Sequence, residues 1–142
     1  MLRGEGCPPS DGAGFRTPPY ARPVTLQHVT FEVTAEQVQA HREFWALLGY
    51  EAVETPAPLR GRAVWMCRGG SHVHLLIDEA PVVPPRAHAA FVVAEWNSTL
   101  EALHAAGYES RPAMRLWDCE RVYLRAPGGH RVEIMSAPPP AV

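Results

Sequence analysis

The chain has 142 residues, with 13 Lys and Arg against 15 Asp and Glu, for a formal net charge of −2. That length suits one domain with a real core and is too short for two. The basic residues are scattered, which excludes the electrostatic footprint of a nucleic-acid binder. No apolar run approaches the ~18 residues of a membrane-spanning helix. Residues 1–6 lack the apolar segment of a secretory signal. Cys7, Cys67 and Cys119 lie in no paired motif, which argues against a disulfide framework or a Cys zinc site and fits a cytoplasmic protein.

Residues 1–23 are rich in Pro and Gly and predict a disordered or loosely packed tail, leaving 24–142 as the single domain. Residues 26–33 alternate with period two: Val29, Phe31 and Val33 on one face, His28, Thr30 and Glu32 on the other. Thr34 and Gln37 have the spacing of a capping box. The helix they open carries Val38, His41, Trp45 and Leu48 at helical spacing, with Phe44 and Leu47 beside them, and Gly49 ends it. A short strand (50–55), a loop with Pro56, Pro58 and Gly61, a strand (63–67), the turn Gly69-Gly70 and a strand (72–78) follow. The order is βαβββ.

After a Pro-rich linker (81–86) the same order returns. Residues 87–93 predict a strand, 97–106 a helix with a second possible capping box at Ser98 and Glu101, and 121–124 another strand. Pro127-Gly128-Gly129 then leads into the final strand. His28 and His88 are 60 residues apart, Gly49 and Gly107 58, and His74 and Glu133 59. Three landmarks agreeing within two residues mark an internal duplication, with modules at about 26–78 and 87–136.

The duplication gives four residues a shared logic. His28, His88, His74 and Glu133 occupy symmetric positions on first and last strands, each opposite in parity to apolar neighbours. They are expected to project from the polar face of a curved sheet, with His28 converging on His88 and His74 on Glu133. Imidazole nitrogens and a carboxylate suit a divalent ion: Fe²⁺, Mn²⁺, Ni²⁺, Co²⁺ or Zn²⁺. Two His and one carboxylate leave coordination positions open for substrate. His72 shares the face of His74 and is a lesser candidate. His41 and His104 are expected to be solvated on their helices, and His130 belongs to the final turn. Trp65, Met66, Trp117, Tyr123, Arg115, Arg121 and Arg125 could meet a substrate, with Trp65, Trp117, Tyr123 and Arg121 preferred. Loop 112–119 could serve as a lid.

The two βαβββ modules, the phrase Phe44-Trp45-Ala46-Leu47-Leu48-Gly49-Tyr50 and the ending Ala126-Pro127-Gly128-Gly129-His130-Arg131-Val132-Glu133 resemble the vicinal oxygen chelate superfamily. That group includes glyoxalase I, extradiol dioxygenases, fosfomycin-modifying transferases and bleomycin-binding proteins. The resemblance covers residues 25–137. It implies an α+β fold with a cupped mixed sheet, and metal ligands at His28, His88 and Glu133 with His74 as a fourth. It also implies a homodimer in which sheets or sites are shared. The function implied is metal-dependent chemistry, glyoxalase-like or dioxygenase-like, on a small oxygen-bearing substrate chelated through two oxygens, with Glu133 as the catalytic carboxylate. The alternative is a metal-independent binding protein of the bleomycin-resistance type. Three departures stand out. His74 replaces the carboxylate that glyoxalase I usually carries, Ala126 stands where the family usually has Asp, and no clear basic cluster for a phosphonate is visible.

Overall fold

The computed structural model describes residues 25–140, and the tail reading for 1–23 lies outside them. The first module runs β1 (His28–Val33), a 3-10 turn (Ala35–Gln37), α1 (Val38–Leu47), β2 (Glu51–Val53), β3 (Ala63–Arg68) and β4 (Ser71–Ile77). The second runs β5 (Ala89–Val92), α2 (Trp96–Ala105), β6 (Arg111–Pro112), β7 (Arg121–Arg125) and β8 (Arg131–Met135). Each module forms a four-stranded mixed sheet, ordered β1-β4-β3-β2 and β5-β8-β7-β6. In both, the first strand lies parallel to the last and the remaining pairs are antiparallel.

The duplication is visible atom by atom at the helix ends. Gly49 N–H donates to the Ala46 carbonyl and Tyr50 N–H to Trp45; Gly107 and Tyr108 repeat the pattern on His104 and Leu103. Gly49 (φ 80°) and Gly107 (φ 89°) hold the left-handed conformation that ends a helix in this way. The Thr34 backbone N–H donates to Gln37 Oε1 at 3.1 Å, as the first capping box predicts. The second does not form as expected. The helix begins two residues before Ser98, so the Ser98 hydroxyl donates to the Glu95 carbonyl instead.

A single core spans both modules. Phe31, Val33, Val64, Met66, Val73 and Leu75 from one sheet join Val122, Leu124, Val132 and Ile134 from the other. Trp45 links them, its ring 5.3 Å from Phe31 and 5.3 Å from Phe91. An aromatic side chain of that size, wholly buried between two sheets, contributes on the order of 3–5 kcal/mol. Met66 belongs to this core and is not available to a substrate.

His41, expected to be solvated, lies inside, and so does His130 of the final turn. His41 is completely buried on α1, because its face of the helix is covered by the turn that precedes β8. His130 is 4% exposed and its Nε2 lies 2.6 Å from the Glu32 carbonyl oxygen of β1, tying the second module to the first. Their rings meet edge to face at 6.3 Å. Only His104 is exposed as expected, bonded to Ser110. Among the described residues no helix is long and apolar enough to cross a membrane.

Candidate metal site

Strand register places the four candidate ligands. Thr30 pairs with His74 across β1 and β4, and Ala90 pairs with Glu133 across β5 and β8. His28 stands two residues before Thr30, and His88 two before Ala90. Each sheet therefore presents one residue from its first strand and one from its last on the same face, in the same relative position.

The convergence differs from the one expected. His28 meets His74, with ring centroids 4.2 Å apart, and His88 meets Glu133, Nε2 to Oε2 at 2.9 Å. The pairs form within each sheet and not across the pseudo-two-fold axis. Among the described residues no three His, Cys, Asp or Glu side chains gather closely enough to hold an ion. The reason lies in the edges. β1 and β5 have no ladder between them; residues 26–29 share one cleft with 90–93, and 29–32 share a second with 87–89. The strands pass in opposite senses, so His28 opens into the first cleft, of about 430 Å³, and His88 into the second, of about 470 Å³.

The second pair is shaped for a cation. His88 Nδ1 lies 2.9 Å from the Arg86 carbonyl oxygen, which fixes a proton on Nδ1. In the neutral ring Nε2 is then the lone-pair nitrogen, and it faces a carboxylate oxygen. Two lone pairs at 2.9 Å need a proton or a metal ion between them. A ligating histidine anchored through its other nitrogen to a backbone carbonyl is the usual arrangement at metal centres. Glu133, 3% exposed, is held on its other oxygen by Arg121, whose Nε donates to Oε1 at 2.5 Å. That hydrogen bond holds the Arg121 guanidinium above its ordinary pKa. Arg121 also donates from Nη1 to the Met114 carbonyl, so its charge serves Glu133 and the loop, and it does not stand free for a substrate.

The first pair is built on stacking. Trp65 of β3 pairs in register with His74 and lies flat against it, 4.2 Å away and 5° from parallel. His74 Nε2 is buried with no hydrogen-bond partner. Burial, and then the neighbouring His28 and His72, lower its pKa from 6.5 to about 4. It is neutral near pH 7, as a ligand must be. His28 is exposed, with Nδ1 2.6 Å from Gln27 Oε1, which leaves Nε2 outward. The residue types and the orphaned nitrogen fit a divalent ion; the four do not enclose one within a single chain.

The other expected contacts scatter. Tyr123 sits beside this site, 5.2 Å from the His88 ring. Trp117 is 54% exposed on loop 112–119, and Arg115 lies 3.9 Å from Asp118 at the surface. Cys67 and Cys119 are buried, and Cys7 lies outside the described residues. Arg111 and Arg131 join Arg121 and Arg125 on the face of Glu133 and were not among the residues expected there, although the alternation in 131–135 pointed to Arg131.

Two duplicated βαβββ modules sharing one core make the fold of the vicinal oxygen chelate superfamily, the group to which the similar solved structures belong. No family model and no curated protein sequence matches it. Solved structures do. A glyoxalase family protein from Bacillus anthracis matches with a TM-score of 0.73 at 25% identity, covering 81% of this chain and 96% of that one. A glyoxalase/dioxygenase from Nostoc punctiforme gives 0.66 at 21%, covering 90% and 99%. A lactoylglutathione lyase from Agrobacterium tumefaciens gives 0.61 at 18%, covering 81% and 95%.

Proposed function

We propose that this chain is a metal-dependent enzyme acting on a small oxygen-bearing substrate, with His28, His74, His88 and Glu133 as metal ligands. The observation that carries the reading is the His88–Glu133 pair, with Nδ1 anchored on a carbonyl and Nε2 aimed at a carboxylate oxygen. A bound divalent ion would supply Lewis acidity toward two substrate oxygens or, if it is iron, activation of dioxygen. The chain's own residues do the rest. The Arg86 carbonyl sets the His88 tautomer, and Arg121 occupies Glu133 Oε1 and leaves Oε2 as the oxygen that can ligate or carry a proton. Trp65 fixes the ring plane of His74. The glyoxalase, lyase and oxidase descriptions of similar structures support an enzymatic role of this kind.

The two pairs lie on separate sheets, so a four-ligand site needs the face of one sheet set opposite the face of the other. A two-fold dimer supplies that arrangement, with His28 and His74 of one chain meeting His88 and Glu133 of its partner. The protein is then a homodimer with two shared sites.

Metal analysis of protein purified without chelator tests the reading. Near-stoichiometric metal that is lost in His88→Ala supports it. Substoichiometric metal that His88→Ala leaves unchanged sinks it, in favour of a metal-independent binding protein. Mixing His28→Ala/His74→Ala chains with His88→Ala/Glu133→Ala chains tests sharing. Random pairing restores about one quarter of the sites if they are shared and none if each chain builds its own.

A further inference from the structure

The second sheet's functional face carries more positive charge than its ligand pair uses. Arg111 of β6 pairs in register with Tyr123 of β7, and Tyr123 with Glu133 of β8. Residues directly opposite one another share a face, so these three lie together. Arg125 pairs with Arg131, two residues after Tyr123 on β7 and two before Glu133 on β8, on the same face. Arg111, Arg125 and Arg131 line a cavity of about 660 Å³ with Tyr123 at its edge. None of the three forms an ion pair among the described residues, in contrast to Arg121, whose charge Glu133 matches. Arg131 lies over the Tyr123 ring at 3.6 Å, and Arg125 donates only to the Gly129 carbonyl. Among the described residues Glu109 is the one carboxylate lining the cavity, so three positive charges and one negative leave two positive charges unmatched.

Like charges placed directly across a strand pair destabilise it, and Arg125 opposite Arg131 is such a pair. The arrangement makes chemical sense when an anion sits between the guanidinium groups. Guanidinium forks bind tetrahedral oxyanions through paired hydrogen bonds, and a net charge of two suits a dianion. We infer that this cavity is a binding site for a phosphate- or phosphonate-type group, and that the substrate is a small molecule carrying one. Tyr123 borders both the cavity and the His88 ring, so a substrate anchored at the arginines passes over Tyr123 toward Glu133. That last step rests on the metal-site reading above; the anion site does not.

The test is titration of metal-stripped protein with inorganic phosphate at constant ionic strength, followed by calorimetry and by backbone NMR shifts. Saturable binding is expected, with shifts centred on 111, 123 and 131. Arg111→Gln and Arg131→Gln are each expected to weaken binding by about tenfold, the scale of one charge-assisted hydrogen-bond pair. Arg111 is exposed on a two-residue edge strand, so its variant keeps the fold even if the partly buried Arg131 variant does not. Arg42→Gln, an equal charge change on the exposed side of α1, must leave binding unchanged. Non-saturable binding, or equal weakening by Arg42→Gln, overturns the site. Malonate that binds as tightly as phosphate overturns the phosphoryl assignment. Glu133→Gln separates the two proposals: phosphate binding retained while metal is lost supports both. Metal binding intact without phosphate binding removes this one alone.

Discussion

The two candidate half-sites hold equivalent places in duplicated modules, yet they are built by different physics. In the first sheet, His74 is stacked between Trp65 and His28, and its one buried nitrogen has no partner. In the second, Glu133 is fully committed, with Arg121 on one oxygen and His88 on the other. One half is held by aromatic surface and tolerates an unmet polar atom. The other is held by charge-assisted hydrogen bonds, which are stronger and more directional. A shared backbone therefore sets where ligands sit, while the neighbouring strand decides how firmly they are oriented: Trp65 in one sheet, Arg121 and Tyr123 in the other.

The largest expected effect tests that asymmetry directly. Glu133→Gln removes the only candidate carboxylate ligand and the partner of Arg121, and should lower metal affinity beyond the ~100-fold seen when outer-shell partners are lost. His74→Gln keeps the stack in part and should cost about tenfold or less. Isothermal titration with Ni²⁺ or Co²⁺ measures both. Equal losses would mean that the halves contribute alike and that the difference in their surroundings has no consequence for metal.

The second contrast is between the buried histidine of α1 and its surroundings. His41 has a pKa lowered from 6.5 to about 4 by burial and by His130, opposed by the Pro127 backbone. The folded pKa lies below the unfolded one, so between pH 6.5 and 4 the unfolded chain takes up a proton that the folded chain refuses. Stability is fully present above about pH 6.5 and falls as pH drops through that window, by up to about 3 kcal/mol. His74, lowered from 6.5 to about 4 by burial and then by His28 and His72, acts in the same direction. Urea unfolding at a series of pH values should show the slope, and His41→Leu should flatten much of it. An unchanged slope in that variant would remove His41 as its source.

The parts of this molecule that were legible in the sequence were local. Alternation in 26–33, the Gly-Tyr repeat at 49 and 107, and the spacing of His28, His74, His88 and Glu133 all follow from contacts within one module, so a single chain of residues carries them. How the two modules meet does not. Sequence symmetry fixes positions inside each copy and is silent on the rotation between copies, which is why convergence of His28 on His88 was expected and pairing within sheets was found. The burial of His41 was missed for the same reason: it is covered by the turn of the other module, just as His130 is tied to Glu32 of the first. Arg125 was named from the sequence but its companions were not, because β6 is only Arg111–Pro112, too short to display alternation, and Arg125 and Arg131 become neighbours only through the β7–β8 register.

The twin Gly-Gly turns offer a smaller contrast. A Cβ on Gly128 (φ 76°) would lie 2.8 Å from Gln37 Oε1, the acceptor of the Thr34 N–H in the 3-10 turn that leads into α1, whereas one on Gly70 would meet nothing within 4 Å. Gly128→Ala must adopt a left-handed backbone and displace Gln37, at a cost of about 1–3 kcal/mol. Gly70→Ala should change stability by less than about 0.5 kcal/mol. Denaturant midpoints compare them, and similar values would mean that the second turn does not brace α1.

The smallest effect is optical and bears most closely on whether the halves act together. Trp65 stacks on His74, so an ion bound by His74 should quench its emission, and the Trp65→Phe variant subtracts the other tryptophans. Tyr123 provides no such signal on the second sheet. If one ion engages both halves, Trp65 quenching and calorimetric heat should saturate at the same metal equivalent, and His88→Ala should weaken both together. If only His88 and Glu133 bind, heat is released while Trp65 stays silent. Quenching that survives His88→Ala would mean that the histidines of the first sheet bind metal on their own. The half held by stacking would then be an independent site.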